Sequence, residues 1–133
     1  MERTLADRLR QGMLIQSRAV RALGIMAQAA VNRHDKELLS AIRREDRRHY
    51  YFLEGIYEDL TGRACPSPSV SLSLPKNYPD MLRTAICDKL AAIDFYEEWI
   101  DDVKCLRQKD LLEIVVSDQK EHARILAAIY RRL

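Results

Sequence analysis

Two histidines, His49 and His122, lie in mid-segment among leucines and isoleucines, where an imidazole needs a partner. Asp46 stands three residues before His49. On a helix, residues three apart share a face, so this carboxylate and imidazole would project together. That spacing lets one helix of a bundle offer an oxygen and a nitrogen to a metal in the core. The matching position before His122 is Gln119, not a carboxylate. Two chemistries follow. Asp46, His49 and His122 are candidate ligands of a single metal ion, a two-histidine, one-carboxylate set. The same groups could instead be neutral and ionic members of a hydrogen-bonded core. A histidine on an apolar stripe is ordinarily a satisfied core residue, so the core network is the favoured reading.

These residues must be positioned by helices. All four prolines (Pro66, Pro68, Pro75 and Pro79) fall in one serine-rich stretch that ends in SPSVSLSLPKNYP, which reads as a long connection. It separates two proline-free halves, each with apolar residues at helical spacing. In the first half these are Leu5, Leu9, Met13, Val20, Leu23, Ala27 and Ala30; then, beyond an NRHD turn, Leu38, Leu39, Ile42, Leu53, Ile56, Tyr57 and Leu60. Asp35 is the expected N-cap of the second helix and Gly62 its C-cap glycine. A third helix is expected from about Asp80 to Cys105, and a fourth from about Lys109 to the end. The chain thus divides into hairpin 1 (3–62), a crossover (63–79) and hairpin 2 (80–133), within one domain.

The halves repeat each other. Shifted by 73 positions, Leu9 falls on Leu82, Arg10 on Arg83, Ala19 on Ala92 and Lys36 on Lys109. His49 falls on His122, and Leu53, Ile56, Tyr57 and Leu60 on Leu126, Ile129, Tyr130 and Leu133. Conservative pairs such as Val20/Ile93, Glu45/Asp118 and Ile42/Val115 fill the register without a gap. A shared histidine, tyrosine and turn are not expected from two unrelated amphipathic helices, so the chain reads as a duplicated hairpin. Two antiparallel hairpins joined by a long crossover pack as a four-helix bundle, an all-α fold.

Three segments carry a resemblance to a known family. EDRRHYYFLEGIYEDLTG (45–62), AICDKLAAIDFYEEW (85–99) and VVSDQKEHARILAAIY (115–130) resemble the second, third and fourth helices of rubrerythrin-type, ferritin-like proteins. The resemblance spans nearly the whole chain and implies a ferritin-like four-helix bundle. In that family a Glu on the first helix, Glu-x-x-His on the second, a Glu on the third and Glu-x-x-His on the fourth hold two irons that react with oxygen or peroxide. Carried onto this chain, the positions fall on Gln16, on Asp46 and His49, on Lys89, and on Gln119 and His122; the repeat supports the same register. One carboxylate survives of four, and Lys89 adds a positive charge. Concentrating two ferrous ions beside an ammonium in a low-dielectric core is unfavourable. The implied site is therefore degenerate: Asp46 and Lys89 are expected to form a buried ion pair, with Gln16 and Gln119 completing it. No C-x-x-C pair of the rubredoxin type is present.

The remaining features narrow the class. The net charge of +2 gives no strong field for a charged partner. Arg43, Arg44, Arg47 and Arg48 read as a solvated basic face without interleaved aromatics, so nucleic acid is not expected. No stretch reaches the roughly 18 apolar residues of a membrane span. Cys65, Cys87 and Cys105 read as plain thiols of a reducing cytoplasm. Lys89 as a nucleophile of lowered pKa is weighed below its neutralised ion pair. Tyr57, Tyr96 and Tyr130 read as core aromatics, and Glu54 and Glu58 as surface residues. The expectation is a binding or scaffold protein with no cofactor. A metal-binding oxidoreductase with one metal ion, iron for example, is the alternative. A homodimer and a small anion in the bundle core are the partners that fit.

Overall fold

The structure, a computed structural model, describes residues 3–133. Four long helices carry it: α1 (Leu5–Ala29), α2 (Arg33–Thr61), α3 (Tyr78–Trp99) and α4 (Leu106–Arg131), with a short 3-10 turn at Ile100–Asp102. No strand occurs among the described residues. The fold is an all-α four-helix bundle.

The helix ends follow from local polar chemistry. Thr4 and Asp7 form a capping box, the Asp7 N–H donating to Thr4 Oγ1 at 3.1 Å and the Thr4 N–H to Asp7 Oδ2 at 3.3 Å. Asn32, not Asp35, caps α2: its Oδ1 accepts from the Asp35 N–H at 2.8 Å, and Asp35 lies inside the first turn. Asn77 does the same for α3 through the Asp80 N–H at 2.9 Å. The third helix accordingly starts at Tyr78, with Pro79 in its first turn, where a missing N–H costs nothing. It ends at Trp99 rather than Cys105, and α4 begins at Leu106 rather than Lys109. Gly62 ends α2 in the left-handed conformation, φ 68°, as expected of a C-cap glycine.

Which residues meet across the bundle gives its topology. Leu9 and Met13 of α1 join Tyr96 and Trp99 of α3, Leu53 and Ile56 of α2, and Leu112 and Val115 of α4 in one apolar cluster. At the other end Leu23 and Met26 meet Leu82, with Leu39, Ile42, Leu126 and Ile129. The start of α1 therefore lies beside the end of α3, and the end of α2 beside the start of α4. The crossover must return the chain along the length of the bundle, as its fifteen-odd residues between α2 and α3 allow. The repeat's last turn packs less well than its register suggests. Leu60, Tyr130 and Leu133 are exposed, although Ile129, beside Tyr130, is fully buried. Tyr57 and Tyr96 are buried as expected; Tyr130 is not a core aromatic.

Between the two apolar clusters each helix contributes buried polar residues: Gln16 from α1, Asp46 and His49 from α2, Lys89 from α3, Gln119 and His122 from α4. They fall at the same height because the repeat sets them at equivalent turns. The bundle is thus layered, apolar, polar, apolar.

Candidate functional site

Asp46, fully buried, is the hub of the polar layer. Its Oδ2 takes the Lys89 ammonium in a direct ion pair across α2 and α3. Its Oδ1 accepts from Gln119 Nε2 at 2.9 Å. The same amide nitrogen lies 3.2 Å from His49 Nδ1. One amide N–H can go to each acceptor, which leaves Nε2 of His49 as the protonated nitrogen, 2.8 Å from Asp118 Oδ2. Every polar atom of His49 and the Asp46 carboxylate is then satisfied, as burial demands.

Burial by itself works against an ionised Asp46. The Lys89 ammonium, with the His122 and His49 imidazoles close by, overturns that and holds the carboxyl well below the usual carboxylate range. The layer is therefore built around a true carboxylate.

His122 is held differently. Its Nδ1 lies 3.4 Å from Asp46 Oδ1 and its Nε2 3.5 Å from Glu45 Oε2, and neither atom makes a hydrogen bond. Its ring stacks on His49, centroids 6.0 Å apart and planes at 26°. Gln16 does not complete the ion pair, contrary to expectation. Its Nε2 donates to the Tyr96 hydroxyl at 2.9 Å, and that hydroxyl points to the Gly12 carbonyl at 3.4 Å. Tyr96 reaches α1 because Gly12 has no side chain: a Cβ there would lie 3.1 Å from the tyrosine ring. Burial raises the Tyr96 hydroxyl above the ordinary phenol range, so it stays a neutral donor.

Two acidic residues enter that were not singled out as site residues. Asp118 faces His49 from the opposite hairpin, and Glu45 faces His122 likewise. The Glu45/Asp118 match in the repeat was the available signal. Each histidine thus reaches toward an acid of the other hairpin, one residue before that hairpin's Asp46 or Gln119 position.

Asp46, His49 and His122 do converge, since both Nδ1 atoms lie 3.4 Å from Asp46 Oδ1. The Gln119 amide, however, bridges the two atoms, Asp46 Oδ1 and His49 Nδ1, that a shared cation would bridge, and Lys89 takes the other oxygen. Among the described residues no group of three or more His, Cys, Asp or Glu side chains is arranged to hold a metal ion. The donor set does not fit a pair of ferrous ions: it offers one carboxylate at the centre, and that carboxylate is already neutralised by an ammonium.

The other singled-out residues lie apart from this layer. Cys65 is half-buried, and Cys87 and Cys105 are exposed; all three are unpaired thiols. No helix among the described residues is long and apolar enough to cross a membrane.

No family model matches the chain, and no curated protein sequence matches it. Solved structures do. CopM in its silver-bound form, obtained by soaking, superposes with a TM-score of 0.82 at 15% identity, covering 98% of both chains. A hypothetical protein from Pyrococcus furiosus gives a TM-score of 0.81 at 18% identity, covering 96% of this chain and 89% of that one. A two-domain protein from Anabaena variabilis, containing DJ-1/ThiJ/PfpI-like and ferritin-like domains, gives 0.74 at 16% identity, covering 96% of this chain and 36% of that one. At these identities the likeness is one of fold.

Proposed function

We propose that this chain is a ferritin-like bundle protein in which an internal ion pair stands where relatives of that type hold two irons, and that it works by binding, as a carrier or scaffold, rather than by redox catalysis. The observation that carries this reading is the Lys89 ammonium on Asp46, with the Gln119 amide across the carboxylate's other oxygen. An ammonium has no lone pair to ligate with and opposes any cation placed beside it. The ferritin-like domain of the Anabaena protein supports the fold half of the reading. A reducing cytoplasm suits three unpaired cysteines, and a homodimer through helix faces is consistent with the fold.

Metal content per chain tests the proposal. After anaerobic Fe(II) loading and desalting, elemental analysis should find no iron on a bundle that keeps its helical circular dichroism. About two irons per chain, the family's complement, would overturn it.

A second reading rests on the convergence of both imidazole nitrogens on Asp46 Oδ1. If Lys89 swings away, Asp46, His49 and His122 could hold one metal ion. CopM, so similar in fold, was solved with silver bound, which keeps soft cations among those to test. About one metal per chain that vanishes in His49→Ala would favour this reading.

A further inference from the structure

A second cluster of charge lies outside the polar layer, where α1 and α2 run side by side under the crossover. It lines a cavity of about 510 Å³. Arg21 enters from α1, and Arg43 and Arg47 from α2. The basic run of α2 is therefore not one solvated face. Arg44 sits over a different hollow with Arg33 and Glu37, while Arg43 and Arg47 turn to this cavity together with Tyr50 and Tyr51. The aromatic residues judged missing from the basic face follow it by one turn.

Three features set these arginines apart. None of the three is paired with a carboxylate among the described residues, and no carboxylate lines the cavity. Elsewhere the chain does pair its arginines, as in Arg8–Glu98, Arg33–Glu37, Arg124–Glu121 and Arg132–Asp35. Two are also anchored by backbone. Arg43 Nε donates to the Val20 carbonyl at 3.0 Å, and Arg21 Nη1 to the Val70 carbonyl of the crossover at 3.0 Å. Each anchor uses one of five guanidinium donors, and the others are left for a ligand. Finally, Arg43 lies against Gly24, where a Cβ would come within 3.2 Å of Nε. The α1 backbone leaves the space that the half-buried guanidinium occupies.

Three unneutralised guanidiniums in one hollow, two of them oriented by backbone carbonyls, match the oxygens of a phosphate group, which they can grip in pairs. Tyr51 adds an exposed ring beside them, edge-on to Tyr50 at 5.6 Å. An exposed ring face suits stacking of a planar group. The cavity volume falls within the range of small-molecule sites, about 300 to 1,000 Å³. A nucleic-acid strand would need the basic track to continue, whereas here the crossover closes one side at Pro68 and Val70 and the whole chain carries only +2.

We propose that this cavity binds a phosphorylated small molecule of nucleotide type, its phosphate held by Arg21, Arg43 and Arg47 and its ring laid on Tyr51. This site does not depend on how the polar layer is read, and metal content leaves it untouched.

Calorimetric titration of the full chain with ADP and with pyrophosphate, in magnesium-free buffer, tests the assignment. Both should bind saturably at one site, ADP more tightly. Arg47→Gln, at an exposed position that anchors nothing, should weaken both by about tenfold or more while the thermal midpoint holds, as expected for loss of a charged hydrogen bond. Tyr51→Ala should weaken ADP alone. Absence of saturable binding up to millimolar ligand would overturn the proposal, as would ligand affinity indifferent to Arg47→Gln or ADP binding no tighter than pyrophosphate. A single-stranded oligonucleotide that binds more tightly than ADP would likewise overturn it, making the face a nucleic-acid surface.

Discussion

Asp46 and Lys89 are each buried in a place that neither could occupy alone. Removing one partner of such a pair leaves an uncompensated charge, at a cost of about 3 to 5 kcal/mol. Lys89→Met should therefore destabilise the bundle by that amount in urea denaturation. Adding Asp46→Leu should recover much of the loss, because the stranded charge goes with it; a double variant no more stable than the single would show that the pair is not the source. Acid adds an independent check. The folded pKa of Asp46 is depressed below its ordinary 3.8, so its stabilisation is fully present above that value and is lost as pH falls through the folded pKa. Wild type should lose stability steeply below about pH 4, and the double variant should lose less. The pair was legible in the sequence because the repeat and the register implied by the ferritin-like resemblance agree on Gln16, Asp46, Lys89 and Gln119. The partner of Gln16 was not. Its amide turns to Tyr96, a choice that depends on how closely α1 and α3 approach at Gly12, and helical spacing does not report interhelix distance. Asp118 was legible only in hindsight, since a position that reads as helix surface is reached by a histidine of the other hairpin.

The helices owe their limits to single residues at their ends. In both Asn32-x-x-Asp35 and Asn77-x-x-Asp80, either polar residue can cap, and the asparagine wins while the aspartate supplies the N–H it accepts. Sequence alone misplaces such a start by three residues because both positions carry cap formers. Asp35 gains a separate role, accepting from Arg132 at 2.8 Å and so tying the start of α2 to the end of α4. The glycines of α2 offer the sharpest test at this scale. Gly62 has φ 68°, so Gly62→Ala forces a side chain into the left-handed region at about 1 kcal/mol. Gly55 lies inside the helix with nothing within 4 Å of where its Cβ would be, so Gly55→Ala should stabilise by about 0.5 to 1 kcal/mol. Opposite shifts in the urea midpoint are expected. Equal shifts would mean that the end of α2 does not stop at Gly62 in solution.

At the scale of the molecule, the duplication raises the question of why the two hairpins pair with each other rather than with copies of themselves. Their apolar stripes match closely, so apolar packing barely discriminates between these pairings. The polar layer does. Hairpin 1 brings Gln16, Asp46 and His49, and hairpin 2 brings Lys89, Gln119 and His122. Two copies of hairpin 1 would bury two Asp46 carboxylates with no ammonium, and two copies of hairpin 2 would bury two ammoniums with no carboxylate. Only the mixed pairing neutralises both, and like charges at such a distance in a core cost several kcal/mol. The difference of Lys89 from Gln16, and of Gln119 from Asp46, thus favours the mixed pairing of the hairpins. Residues 3–62 and 78–133, made as separate chains, should each be poorly folded alone. Mixed, they should assemble one to one, with a circular dichroism spectrum near that of the intact chain and a midpoint that rises with concentration. Lys89→Met in the second fragment should weaken the mixed complex and permit that fragment to associate with itself. If wild-type hairpin 2 already forms a stable homodimer, the charge pair does not direct the assembly, and the long crossover must do so by keeping the two hairpins in one chain.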